Sequence, residues 1–472
     1  MQRLLGEVVR NERKRRYRGP NGLEHAECRT TVRVVGSAVE ALAAPDRVVG
    51  RETTVRRDCV LPWTPKKGDL IVLGASESAR ILRRRSRAGA EQPTGGVLLA
   101  SRDVDVDGFE EDVLSNAFVT AAVQAHRGAR LLSLAGADGT DLFARPEEYT
   151  MAGKYVLLGG AELVVSEAGN PGEIWRSAFD REEGGVEGTG DEARGEVSYS
   201  RRLKNPAGVR VEKTVRLDVG LPVVMESYTV RYLGKLAGKG EDGSKDSAGS
   251  AKDSKDEQEL TLAVRMSTAL LAPEPSLNVF ELPCSDGVHL VRYHKPGFGR
   301  RWRWRDWRDE HFGLRGGVLV VRWETSPRAL VVLFSQRRAA HVSVRSDYPG
   351  PEVSLVHRTR KLKKGRSARM GVAYVAADAV DVGRSGVLAV ARGRGGGGRE
   401  PVSVLLRASG SARYKRASVE GRDGTRGVTL RRLELPEAGH VYAGTVELPA
   451  GAAPVVVRAR AGDERLELEL GA

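Results

Sequence analysis

The 472-residue chain carries 76 Lys and Arg residues against 62 Asp and Glu, a formal net charge of +14. That length predicts about two to four domains, each able to bury a core without disulfide or metal staples. Cys28, Cys59 and Cys284 stand far apart and in no C-x-x-C spacing, which argues against a zinc ribbon or a secreted disulfide framework and reads them as buried thiols.

In chain order, Met1-Gln-Arg-Leu-Leu-Gly-Glu runs into the basic stretch from Arg10 to Arg16 without the apolar core of a signal peptide. No segment reaches the roughly 18 apolar residues of a membrane span. Together these predict a cytoplasmic protein with no membrane partner. The first dozen residues read as a short helix or a basic arm. Beyond them, short runs rich in Val, Leu, Thr and Tyr are bounded by Gly, Pro, Asp or Asn, and helical periodicity is scarce. Strands are predicted over 30–35, 51–61, 69–73, 97–101, 117–124, 197–203, 209–219, 223–232 and 259–268. More follow over 288–293, 317–324, 329–335, 342–346 and 369–376.

A polar stretch, 234–258, separates two of these runs and holds almost no apolar residue beyond alanine and one leucine. It cannot repay the entropy of ordering and reads as a disordered insertion in a long hairpin, because alternation resumes at once. Composition shifts toward Arg, Ser, Gly and Pro around 84–94, and a long β pattern closes around 377–385. A fresh series of short strands then spans 387–392, 402–409, 427–435, 441–448, 455–460 and 466–470, as a small immunoglobulin-like sandwich would. The expected fold class is therefore all-β: a large antiparallel β-supersandwich over 101–380, with an N-terminal β module at 1–100 carrying a short basic arm, and a smaller sandwich at 381–472.

Most of the excess positive charge is interleaved with valine and leucine, as in Val209-Arg-Val-Glu-Lys-Thr-Val-Arg-Leu, which predicts wet faces of strands. A basic surface that meets a polyanion or other acidic partner is the alternative. Gly393, Gly395 and Gly398 formally match G-x-G-x-x-G, yet a strand-like run follows where a dinucleotide site needs a helix, so a hairpin is expected. P-loop, H-E-x-x-H and G-x-S-x-G motifs do not occur, and Asp103-Val-Asp-Val-Asp alternates like a strand, so neither a cofactor nor a metal is predicted.

The central region carries an ordered set of marks. Val113-Leu-Ser-Asn-Ala-Phe-Val-Thr-Ala-Ala-Val is followed by His126-Arg-Gly-Ala-Arg-Leu-Leu-Ser-Leu and by Asp138-Gly-Thr-Asp-Leu-Phe. Asn116 and Gly128 suit turns, and Asp138-Gly139 is a tight hairpin signal. Leu157-Leu-Gly-Gly-Ala-Glu-Leu, Pro171-Gly-Glu-Ile-Trp and Leu362-Lys-Lys-Gly-Arg-Ser-Ala-Arg-Met-Gly-Val-Ala-Tyr-Val complete the series. Their order resembles galactose-mutarotase-like β-supersandwich domains, and the flanking modules resemble the non-catalytic β region of some α-mannosidases. The resemblance implies a carbohydrate-binding or carbohydrate-processing protein that uses the concave face of its central sheet.

An epimerising site needs an imidazole and a carboxylate flanking the sugar ring, and a glycosidase needs paired carboxylates. Glu162 and Glu173 flank the Gly-Gly and Pro-Gly turns of the segment that resembles the sugar-facing one, and His341 is the histidine put beside them as a catalytic candidate. None of the central histidines stands in a spacing that declares a role. Arg300-Arg-Trp-Arg-Trp-Arg would place Trp302 and Trp304 on one strand face with Arg303 on the other, an aromatic platform for sugar rings flanked by hydroxyl-binding arginines. Trp175 joins them as a ligand-binding candidate. A non-catalytic scaffold in which these tryptophans are core residues is the competing reading.

Overall fold

A computed structural model describes residues 4–18, 24–37, 52–60, 70–73, 80–82, 96–102, 104, 109–143, 150–152, 155–157, 160–167, 174, 177–234, 259–269, 278–284, 287–292, 307–308, 316–323, 326–335, 337–345, 352–357, 360–408, 416–421, 424–451, 454–461 and 463–470. Every sheet in it is antiparallel, and no α-helix forms among the described residues. The chain divides into two compact units, the first comprising 1–91, 101–111 and 145–159 and the second the remainder. The first contains a five-stranded sheet ordered Glu52–Val60, Glu24–Ser37, Leu4–Arg18, Leu70–Leu73, Arg80–Leu82. Its longest strand, Leu4–Arg18, replaces the helix or arm expected for the first dozen residues. Alternation in Leu5-Gly-Glu-Val-Val-Arg was too brief to read against the run of arginines that follows.

The second unit is a stack of four sheets. A ten-stranded sheet and a nine-stranded sheet enclose the largest apolar core, which includes Val123, Leu131, Leu163, Val211, Val215, Phe280, Leu330 and Tyr374. The other face of the nine-stranded sheet is covered by a five-stranded sheet through Val223, Met225, Val320, Val331 and Val375 on one side and Val387, Leu405 and Val441 on the other. A third core, centred on Leu388, Val404, Val457 and Leu466, joins that five-stranded sheet to a four-stranded one. The nine-stranded sheet is thus apolar on both faces, which explains why Val318-Leu-Val-Val and Ala329-Leu-Val-Val-Leu-Phe are continuous apolar runs and not alternating ones.

Arg407 ties two layers together. Rising from the five-stranded sheet, its Nε donates to Gly316 O at 2.5 Å, Nη1 to His440 O and Nη2 to Phe334 O at 3.4 Å. The fork geometry of a guanidinium lets one side chain satisfy carbonyls that a lysine would reach one at a time. Gly371 marks how close the layers come: a Cβ there would lie 2.3 Å from Pro436 O and 2.9 Å from Glu437 Cβ.

Local turn chemistry follows the sequence. Asn116 Oδ1 accepts from the backbone N–H of Phe118 and Val119, while its Nδ2 donates to Asp218 O and Leu221 O. Gly128 has φ 74° and Gly139 φ 81°, and Asp138 Oδ1 accepts from Thr140 N in an Asx-turn. Gly397 and Gly398, at φ 63° and 78°, turn an antiparallel hairpin between Gly386–Arg392 and Arg399–Ala408, with no helix. Cys284 is a buried thiol outside any disulfide. One expectation fails. The strands Val223–Tyr232 and Glu259–Ala269 do not form a hairpin: the first pairs within the nine-stranded sheet and the second within the ten-stranded sheet. The polar stretch between them, which lies outside the described residues apart from Gly234, is long enough to link two layers, so it imposes no pairing on its neighbours. The strand Asp180–Glu187, at one edge of the nine-stranded sheet, went unpredicted because its only large apolar residue is Val186.

Candidate functional site

On the ten-stranded sheet, inward and outward residues separate cleanly. Val119, Ala121, Val123, Leu131, Leu134, Ala161, Leu163 and Val165 belong to the core, so their alternate neighbours Thr120, Gln124, Arg130, Ser133 and Glu162 lie on the opposite face. A register shift between Ala122 and Val123 keeps this parity by inserting one extra residue in the strand Arg130–Gly136. Arg130 is fully buried, and its Nη2 lies 3.3 Å from Glu162 Oε2, whose side chain is 13% exposed. Arg130 Nε also donates to Arg127 O at 3.3 Å, which fixes the guanidinium against its own turn. Paired residues in successive strands continue the ladder: Glu162 opposes Ser267, Ser267 opposes Ser354, and Ser354 opposes Ser343. The backbone register thus puts positions 267, 354 and 343 in one row with Glu162, and Ser354 is fully buried.

His341 belongs to the same sheet. It stands opposite Val356, and that ladder runs through Arg265 to Val164, two residues along from Glu162. Three strand spacings, about 14 Å, separate the strands of His341 and Glu162. Glu173, Trp175, Trp302, Arg303 and Trp304 lie outside the described residues. Arg130 was missed as a site residue because His126-Arg-Gly-Ala-Arg reads only as a turn; its partner is 32 residues away, and no local spacing announces the pair.

A second polar cluster faces inward. Lys213 Nζ lies 2.5 Å from Glu226 Oε1 and donates to Ala129 O at 2.5 Å, while Tyr228 OH donates to Glu226 Oε2 at 3.0 Å. Lys213 and Glu226 are each 1% exposed, and the ammonium sits 5.2 Å from the centre of the Tyr228 ring. Burial pulls the lysine below its ordinary value, an effect that the Glu226 carboxylate opposes. Burial, and then the neighbouring Glu226 carboxylate, push the Tyr228 phenol well above the usual 10. This cluster is sealed in the core and holds the turn at Ala129, whose φ of 46° is unusual for a residue with a side chain.

The Tyr228 shift has a measurable consequence. Because the folded phenol ionises above the unfolded one, the unfolded chain releases its proton first and stability falls as pH rises through 10. Tyr228→Phe should flatten that part of the stability–pH curve in urea titrations between pH 9 and 11, at a cost of about 1–2 kcal/mol at neutral pH for the lost hydrogen bond to Glu226.

Among the described residues no group of His, Cys, Asp and Glu is arranged to hold a metal ion, and no helix is long and apolar enough to cross a membrane. Comparison with protein-family profiles and with curated proteins gives no match. Solved structures do resemble the chain. A galactose mutarotase related enzyme from Lactobacillus acidophilus is 11% identical with a TM-score of 0.34, over 60% of this chain and 98% of its own. A protein named as an aldose 1-epimerase, from Klebsiella pneumoniae, is 9% identical with a TM-score of 0.39, over 67% of this chain and 85% of its own. A GH36 alpha-galactosidase from Geobacillus stearothermophilus is 11% identical with a TM-score of 0.34, over 57% of this chain and 40% of its own. Likeness at this level assigns a role to no residue of this chain, so the functional argument rests on its own geometry.

Proposed function

We propose that this chain is a carbohydrate-binding protein, and that sugar lies on the outer face of the ten-stranded sheet around Arg130 and Glu162. The observation that carries the reading is a fully buried guanidinium paired with a partly exposed carboxylate on the face of the ten-stranded sheet opposite the core. Sugar hydroxyls both donate and accept, and Glu162, 13% exposed and held by the buried Arg130, supplies a fixed acceptor that a hydroxyl can reach. The nine-stranded sheet offers no comparable surface, since apolar packing occupies both its sides. Binding is favoured over epimerisation by the width of sheet between Glu162 and His341, which exceeds the reach of two groups acting on one ring.

The order of marks in the sequence that resembles mutarotase-like domains supports a carbohydrate-related role. A polyanion-binding surface has less behind it: on the outermost sheet Arg458 pairs with Glu420 and Glu467, so positive charge there is neutralised in place. A glycan array with wild-type protein and Glu162→Gln tests the proposal. The substitution keeps volume and removes the charged acceptor, so retained glycans should bind about tenfold more weakly at a temperature where the variant is folded, and its melting temperature should fall because the buried Arg130 loses its counter-charge. Salt-sensitive retention on nucleic acid, with no glycan selected, would overturn it.

A further inference from the structure

The turn that leads into Arg130 is pinned from two directions. Gly128 N donates to Ser177 O at 2.7 Å, and Phe179 N donates to Ala125 O at 2.9 Å. From the core, Lys213 Nζ donates to Ala129 O at 2.5 Å. That carbonyl belongs to the peptide unit joining Ala129 to Arg130. The unit is planar and rigid, so whatever fixes the carbonyl also fixes the backbone from which the guanidinium projects. An ammonium has three donors, and here one meets Glu226 Oε1 and another meets Ala129 O. The electrostatics agree that the two clusters are close. Burial chiefly draws Lys213 down, Glu226 opposes it, and the Arg130 charge adds to the fall. The Tyr228 phenol likewise feels Glu162, after burial, Glu226 and Tyr374.

Resting on the sugar-binding reading above, we infer that Lys213 is a positioning residue of that site: by holding Ala129 O it sets where the Arg130 guanidinium stands, and Arg130 in turn holds the Glu162 carboxylate. The contacts run from a closed interior, where Lys213 is 1% exposed, through a fully buried guanidinium to a carboxylate that is 13% exposed. Tyr228 acts one bond further back, on Glu226. A lysine kept only for stability can be exchanged, with its carboxylate, for an apolar pair of similar size. A lysine that places the turn cannot, because no apolar side chain donates to Ala129 O. Stability and binding should therefore separate.

The test reads two things on the full-length protein: modification of each arginine by phenylglyoxal, mapped by peptide mass, and retention on a glycan array. In Lys213→Met with Glu226→Leu, Arg130 should be modified about tenfold faster than in wild type, and glycans that wild type retains should bind about tenfold more weakly. Arg407, held in another layer, should keep its rate. Tyr228→Phe leaves Lys213 on the carbonyl and should match wild type in both readouts despite its lower stability. Lys213→Gln with Glu226→Gln serves if the apolar pair does not fold, since the two amides can bond each other while glutamine, one atom shorter, stops short of Ala129 O. Arg130 as protected as in wild type, with glycan retention unchanged, overturns the inference and leaves the sugar-binding reading standing. Faster modification of Arg130 and Arg407 together, or equal losses in Tyr228→Phe, also overturns it, because the lysine then acts only through general stability. Retention of no glycan by wild type overturns both readings, whatever the labelling of Arg130.

Discussion

A chain ended at Arg384 is expected to come out of solution or to bind a hydrophobic dye strongly, and not to fold as a trimmed but sound protein. Without the five-stranded sheet, Val223, Met225, Val318, Val320, Val331, Leu333 and Val375 would face water together. Each such side chain contributes about 1.5–3 kcal/mol when fully buried, so the lost layer is comparable with the roughly 5–15 kcal/mol that holds a whole domain folded. Gly316 O and Phe334 O would also lose the Arg407 guanidinium that caps them. Soluble yield, dye fluorescence and sedimentation of the truncated chain measure this. A monodisperse product that melts at the full-length temperature would show that the contact is dispensable.

That layered contact also marks the limit of what could be read from residues in order. Strand positions were legible because alternation is local: Val223–Tyr232 was predicted to the residue, and Asp138-Gly139 and Gly128 turned the chain as their φ values require. Which strand joins which sheet is set by contacts far apart in sequence. Val223–Tyr232 and Glu259–Ala269 look like a hairpin on paper and belong to different layers. For the site, Glu162 could be named because it stands beside Gly159-Gly160, and Gly160 has φ 68° with no room for a Cβ against Leu131 O. Its partner Arg130 could not, since only the pairing of two strands whose residues stand 32 apart in sequence brings them together. The inward cluster was legible and overlooked. Lys213 was counted among charges on wet faces, yet Val209, Val211, Val215 and Leu217 share its parity and all lie in the core.

Lys213→Ala should cost about 3–5 kcal/mol in urea or thermal unfolding, because it leaves the Glu226 carboxylate buried without a counter-charge. Ala129 O would lose its donor at the same time. Glu226→Gln should cost less. Glutamine still offers Tyr228 an acceptor, and the lysine left behind can shed its proton, as burial already draws it below the ordinary 10.5. Removing the carboxylate that opposes this shift lowers the folded lysine further, whereas the unfolded lysine keeps its usual value. Between those two values the unfolded chain binds more protons, so the stability of Glu226→Gln must climb as pH rises toward 10.5. Its deficit against wild type should therefore be larger at pH 7 than at pH 9.5, while the deficit of Lys213→Ala should change little over that range. A double change to Lys213→Met with Glu226→Leu should recover much of the loss, since apolar residues of similar size satisfy a core that two charges only tolerate. Equal costs for the two single variants at both pH values would mean that the pair is reached by water, and the sealed interior described for it would be wrong.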